Sequence, residues 1–156
     1  MEILYFAAPV AGVIALLYAY FLVSKINKVE PGNERMREIA GAIHEGAMAF
    51  LNREYKVLIV FVIALAAIIA ITGIMTTGEE SMKPTTAIAF ILGACCSILA
   101  GNIGMRVATR ANVRTANAAA QKGMNQALEV AFSGGAVMGM SVVGLGLIGL
   151  GVVIFL

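Results

Sequence analysis

Aspartate is absent. All 9 acidic residues are glutamates: Glu2, Glu30, Glu34, Glu38, Glu45, Glu54, Glu79, Glu80 and Glu129. His44 is the only histidine. Most metal clusters need several oxygen or nitrogen ligands converging on one point, so this composition excludes most of them. It also removes Ser-His-Asp chemistry. No catalytic, cofactor-binding or metal-ligating residue is therefore assigned to this chain. Charge is scarce as well, at 13% of residues, where a soluble domain carries about 25%. Proline is nearly missing, with 3 residues. What remains is 60% hydrophobic and holds 17 glycines, the composition of a helical membrane protein. A net charge of +2 makes no case for nucleic acid, and no nucleic-acid partner is expected. Cys95 and Cys96 are adjacent in an apolar run. They point about 100° apart on a helix, which suits packing and not a mutual bridge.

Four apolar stretches are long enough to span a bilayer. The first, residues 3–23, is free of charge and measures about 31 Å at 1.5 Å per residue. A signal peptide would carry Lys or Arg ahead of a shorter apolar run, whereas Glu2 stands here. Pro9 is a candidate kink within it. The other spans are expected at about 57–75, 87–104 and 131–156, with a turn-like polar segment at 76–86. The chain stops on "GVVIFL", without the polar residues that usually end a span, so truncation of a longer chain is expected.

Basic residues orient the spans. Lys25, Lys28, Arg35, Arg37, Arg53 and Lys56 lie between the first and second, only Lys83 between the second and third. Arg106, Arg110, Arg114 and Lys122 lie between the third and fourth. Loops 24–56 and 105–130 are expected in the cytoplasm, with the amino terminus and residue 156 outside. The third span spaces Ala89, Gly93, Ser97 and Gly101 by four, and the fourth carries Gly135 and Gly139 in a G-x-x-x-G. Small residues at this spacing let helices approach closely in lipid, within these four spans or a larger bundle.

Both cytoplasmic loops read as helical extensions, over about 33–56 and 105–126. In the first, Pro31 and Gly32 break the chain, Asn33 can cap and Glu34 suits the helix start. On a helical wheel Met36, Ile39, Ile43, Ala47, Phe50 and Val57 share one face, opposite Glu34, Glu38, Glu45, Asn52 and Lys56. The helix would run unbroken into the second span and extend roughly 35 Å beyond the membrane at 1.5 Å per residue. Glu54 breaks the pattern by landing on the apolar face, where an unpaired carboxylate costs several kcal/mol. An interfacial salt bridge is the leading reading, and a catalytic or ion-relay role the weaker one. His44 falls on the flank, as an ordinary surface histidine would. In the second extension Asn102, Arg106, Arg110, Arg114, Asn117 and Gln121 fall within about 120° on the wheel. Three readings stay open for these arginines: positive-inside anchoring, pairing with Glu54, or attraction of an anionic substrate.

The strings "IAGAIHEGAMAFLNREYK", "GNIGMRVATRANVRTANAA" and "ALEVAFSGGAVMGMSVVGLGLIGLG" resemble the amino-terminal quarter of the membrane-integral, ion-pumping inorganic pyrophosphatases. The resemblance covers about residues 30–150. It implies a much larger homodimeric protein that hydrolyses magnesium pyrophosphate at the cytoplasmic face and moves protons or sodium ions outward. In that family magnesium is held by aspartates of an inner ring of helices, and potassium is a further candidate cofactor that depends on residues in later helices. No aspartate exists here, and the family's catalytic motifs map onto no position of this chain.

The sequence therefore reads as an all-α polytopic membrane protein. It has four transmembrane helices, with long cytoplasmic extensions of helices 2 and 3. The resemblance assigns it a structural role in the outer ring of such a pump, in the plasma membrane of a prokaryote. Its expected partners are the pump's remaining helices and the lipid bilayer. The rival reading is a free-standing small membrane protein, an assembly factor or an ion-conducting proteolipid. A proteolipid needs a carboxylate near mid-membrane, and none of the four spans has one.

Overall fold

The computed structural model describes residues 2–75 and 85–154. These form four helices and no strand: α1 Glu2–Asn27, α2 Glu34–Met75, α3 Thr85–Lys122 and α4 Met124–Ile154. All four are long and apolar enough to cross a membrane. The expected turn at 76–86, with Glu79, Glu80 and Lys83, lies outside the described residues apart from Thr85 and Thr86. The chain end at Leu156 lies outside them too.

Local chemistry sets the helix ends. The Asn33 side chain accepts a hydrogen bond from the Met36 amide at 2.9 Å, the N-cap geometry that satisfies one of the orphan donors of a first turn. From there α2 runs 42 residues without a break, merging the amphipathic extension with the span. Between α3 and α4 stands a single residue, Gly123, at φ 86°. Its left-handed backbone ends α3 just after Lys122, as a C′ glycine does. The extension expected to reach about 126 thus stops at Lys122, and α4 begins at Met124, ahead of the span expected from about 131. Pro9 does not end α1. Its ring packs against Gly151 of α4.

The helices stand in an open row, α1–α4–α3–α2. α4 packs on both α1 and α3, α2 packs on α3, α1 barely meets α3, and α1 and α2 do not meet. Sequence explains the centre of the row. Along α4 the buried positions Ala127, Val130, Gly134, Val137, Ser141, Gly144 and Gly151 recur at steps of three, four or seven, and Gly149 is buried outside that series, against Cys96. The series has the heptad spacing that keeps one seam under its neighbours. Ser141 is 1% exposed, and its hydroxyl donates to the Val137 carbonyl at 2.7 Å, so no polar group is stranded in the seam. Ala19, Leu22 and Ile26 of α1 meet Val107 and Ala111 of α3 around Val137.

Glycine brings α1 and α4 to backbone contact. A Cβ at Gly12 would sit 2.7 Å from the Gly144 carbonyl oxygen, and one at Gly144 would sit 2.9 Å from that of Gly12. The G-x-x-x-G glycines behave differently. A Cβ on Gly135 or Gly139 would meet nothing within 4 Å, because both lie off the seam. Gly93 of the third span is equally open, and Gly101 faces the Tyr55 hydroxyl. Cys96 lies against Gly149 while Cys95 is exposed, and both thiols are free.

These contacts predict a contrast between two alanine substitutions. Gly12→Ala should destabilise the detergent-solubilised protein by about 1–3 kcal/mol through overpacking. Gly139→Ala should be neutral or stabilising by up to about 1 kcal/mol, since alanine favours a helix interior. Reversible denaturation followed by circular dichroism checks both. Equal losses would contradict the α1–α4 contact.

Candidate functional site

Because α1 and α2 lie on opposite sides of the row, residues 28–33 must cross the ends of α4 and α3. Two side chains of α3 hold this crossing. Arg114 donates from Nε to the Val29 carbonyl at 3.0 Å and from Nη1 to the Arg110 carbonyl at 2.9 Å. Asn117 donates from Nδ2 to the Glu30 carbonyl at 3.1 Å, and its Oδ1 accepts from Gln121 at 3.0 Å. Asn117 is 5% exposed, so leaving its amide unpaired would be costly. Val29 seats against Ala118, Ala127 and Val130. Gly32 makes the turn into α2 at φ 87°, and a Cβ there would come within 3.0 Å of Asn117 Oδ1. Arg37 closes the clasp by donating from Nε to the Gly32 carbonyl at 3.1 Å.

A salt bridge ties the same end of α1 to α4, Lys25 Nζ to Glu129 Oε1 at 2.6 Å. Both residues lie outside the apolar runs 3–23 and 131–156. The hydrogen bond and then the opposite charge hold the Glu129 carboxyl below, and the Lys25 ammonium above, their ordinary ranges. Burial lowers the Arg114 guanidinium, and the like charge of Arg110 lowers it further.

His44 is half-buried rather than a surface residue. Its Nδ1 lies 2.9 Å from Thr109 Oγ1. The single Thr109 hydroxyl proton also has the carbonyls of Met105 and Arg106 within reach, at 3.0 and 3.1 Å. The His44 contact fits either tautomer, Nδ1–H donating to Oγ1 or Oγ1–H donating to Nδ1, and in both it leaves Nε2 outside the pair. Lower down, Tyr55 Oη donates to the Ile98 carbonyl at 3.1 Å.

Two of the expected partners of Glu54 bond elsewhere, and the third, Arg110, makes no side-chain bond to a described residue. Glu54 is exposed and makes no ion pair with Arg106, Arg110 or Arg114; the described ion pairs are Lys25–Glu129 and Arg35–Glu38. Arg106 turns back to Asn102 at 2.7 Å, and Arg114 serves the clasp. The reason is rotational. α3 covers the stripe Met36, Ala40, His44, Leu51 and Tyr55 of α2, whose centre lies roughly 60° round the helix from Glu54 at 100° per residue. The rest of the apolar face stays open: Ile39 is 48% exposed, Phe50 57% and Val57 68%. Wheel arithmetic located the apolar face but not the part of it that a neighbour takes. The clasp had a sequence signal in Pro31-Gly32-Asn33, whereas nothing in the sequence paired it with Arg114 and Asn117. Among the described residues, no three His, Cys or carboxylate side chains converge as a metal site would need.

Comparison with known proteins shows the family. Residues 13–156 match the sequence family described as inorganic H+ pyrophosphatase. A protein of Clostridium tetani, named as a candidate K+-stimulated pyrophosphate-energized sodium pump, is 54% identical over 140 residues, 90% of this chain and 19% of the relative. A K+-insensitive pyrophosphate-energized proton pump of Methanosarcina mazei is 45% identical over 140 residues, 90% of this chain and 20% of the relative. A second such proton pump, from Moorella thermoacetica, is 46% identical over 132 residues, 85% of this chain and 18% of the relative. The chain thus spans about a fifth of the length of the curated relatives it matches.

If the clasp holds the row together, Asn117→Ala should cost about 1–3 kcal/mol by stranding buried partners. Gly32→Ala should add left-handed strain of about 1–2 kcal/mol. Limited proteolysis within residues 28–33 should be faster in both variants than in the parent. Unchanged cleavage would show that the crossing is held by something else.

Proposed function

The chain belongs to the inorganic H+ pyrophosphatase family, and from that premise we propose that it is the amino-terminal, outer-ring segment of a pump. That pump couples magnesium pyrophosphate hydrolysis to outward transport of protons or sodium ions. The role of these residues is to brace the remaining helices of the pump, which works as a homodimer in a prokaryotic plasma membrane. The extensions 33–56 and 105–122 stand on the cytoplasmic side.

The observation that carries this reading is the open row. A four-helix protein complete in itself would close its apolar faces on one another. Here the extension of α2 keeps Ile39, Ile43 and Phe50 exposed in a segment too polar for the hydrocarbon core. Those side chains need protein cover on the water side of the bilayer. The high identity to pumps several times longer supports the same reading.

Magnesium does not fit the residues present. Without aspartate and without a convergent ligand group among the described residues, no hydrolytic step is derived through them. The purified 156-residue chain should therefore show no magnesium-dependent release of phosphate from pyrophosphate. The full pump carrying this segment should turn over, and should lose that activity when Ile39, Ile43 and Phe50 are together replaced by glutamate. Turnover by the chain alone, or an indifferent triple variant, would overturn the bracing role. Orientation is checked by a membrane-impermeant thiol reagent on a variant without Cys95 and Cys96 that carries Gly46→Cys. In intact cells Gly46→Cys should be protected, and in inverted vesicles labelled.

A further inference from the structure

We propose that the groove between α2 and α3, beside the clasp, is a binding site for a phosphoryl oxyanion. The groove has a volume of about 330 Å³ and is lined by Arg37, His44, Arg110 and Arg114 across a floor that includes Ala40 and Gly41. No carboxylate lines it. Three arginines and a histidine thus line one small space that no carboxylate lines.

The basic groups are also positioned in advance. The Nε of Arg37 is fixed by Gly32, and Arg114 is fixed by Val29 and Arg110 at two of its nitrogens. Each bond uses part of a guanidinium fork and leaves other donors unused. Arg110 makes no side-chain hydrogen bond or ion pair with a described residue, and its charge acts unfavourably on Arg114. His44 is held at Nδ1 by Thr109, and when Thr109 gives the proton in that bond Nε2–H is left as a donor. A carboxylate has two acceptor oxygens and satisfies one fork. A phosphoryl group offers three, spread tetrahedrally, and suits several forks at once. The shared chemistry is a terminal phosphate, supplied either by a free phosphate in water or by a lipid headgroup. The inference stands on this chain's own residues and not on the pump reading.

The test reads anion occupancy rather than hydrolysis, so it is separable from that reading. The intact protein, as its gene encodes it, is placed in phosphatidylcholine nanodiscs and titrated with radiolabelled inorganic phosphate. A second arm omits phosphate and counts phosphatidylglycerol retained per chain by native mass spectrometry. In one arm the wild-type protein should bind one equivalent that Arg110→Gln binds about tenfold more weakly, the loss expected for one charge-assisted contact. Gly41→Glu supplies an independent variant. A Cβ there meets nothing within 4 Å, so the fold should tolerate it while its carboxylate occupies the groove and displaces the anion. Loss in the first arm identifies free phosphate, and loss in the second a headgroup. Equal occupancy of wild type and both variants in both arms would overturn the proposal. That is the result expected if a carboxylate from elsewhere in the protein fills the groove.

Discussion

The row depends on one crossing. α1 and α2 are consecutive in sequence yet touch different partners, so a short linker has to bridge the width of α3 and α4. Such a segment exposes backbone carbonyls at a place where helices would otherwise pack, and those carbonyls need donors. Arg114 and Asn117 provide them for Val29 and Glu30, and Gly32 lets the backbone come close enough to receive them. With the crossing held, α1 can lie along the α4 seam and α2 along α3. The Lys25–Glu129 bridge reinforces the same corner, but at half-exposed surface it contributes little beside the buried amide.

Much of the fold was legible in the sequence because lipid permits so few solutions. A charge-free run of spanning length has to be helical, and the Asn33 cap and the unbroken α2 follow from residue chemistry. What failed was whatever depended on the azimuth of a neighbour. Glu54 and His44 sit on the same helix within three turns, yet the wheel drew attention to the wrong one. The apolar face of α2 is wider than a single partner can cover, and only the position of α3 decides which edge is buried. The glycines repeat the lesson. The G-x-x-x-G spacing of Gly135 and Gly139 is a signal of possible close packing, while the contact itself was made at Gly144 and Gly151, where the heptad seam runs. The one-residue turn at Gly123 was within reach of sequence reasoning. Lys122 followed by glycine is a helix end, but the alanine-rich flanks hid it.

Charge on the extensions is distributed unevenly. Glu34, Glu38 and Glu45 lie away from α3, whereas Arg37, Arg110 and Arg114 line the groove toward it. The positive-inside rule accounts for having arginines on this side of the membrane. It does not account for three of them lining one groove that no carboxylate lines, with the charge of Arg110 acting against that of Arg114.

The order of the row also constrains how the protein is made. Among the four helices α2 directly follows α1, with which it has no contact. It must wait in the bilayer until α3 follows. α3 and α4 then arrive joined by a single residue and can enter as a hairpin. Of these four helices α1 is made before the others and meets its main partner only when α4 arrives, because the Gly12–Gly144 contact spans most of the chain. A nascent chain stopped before α4 would leave the first helix adrift, so its retention by the insertion machinery would have to outlast the synthesis of three further helices.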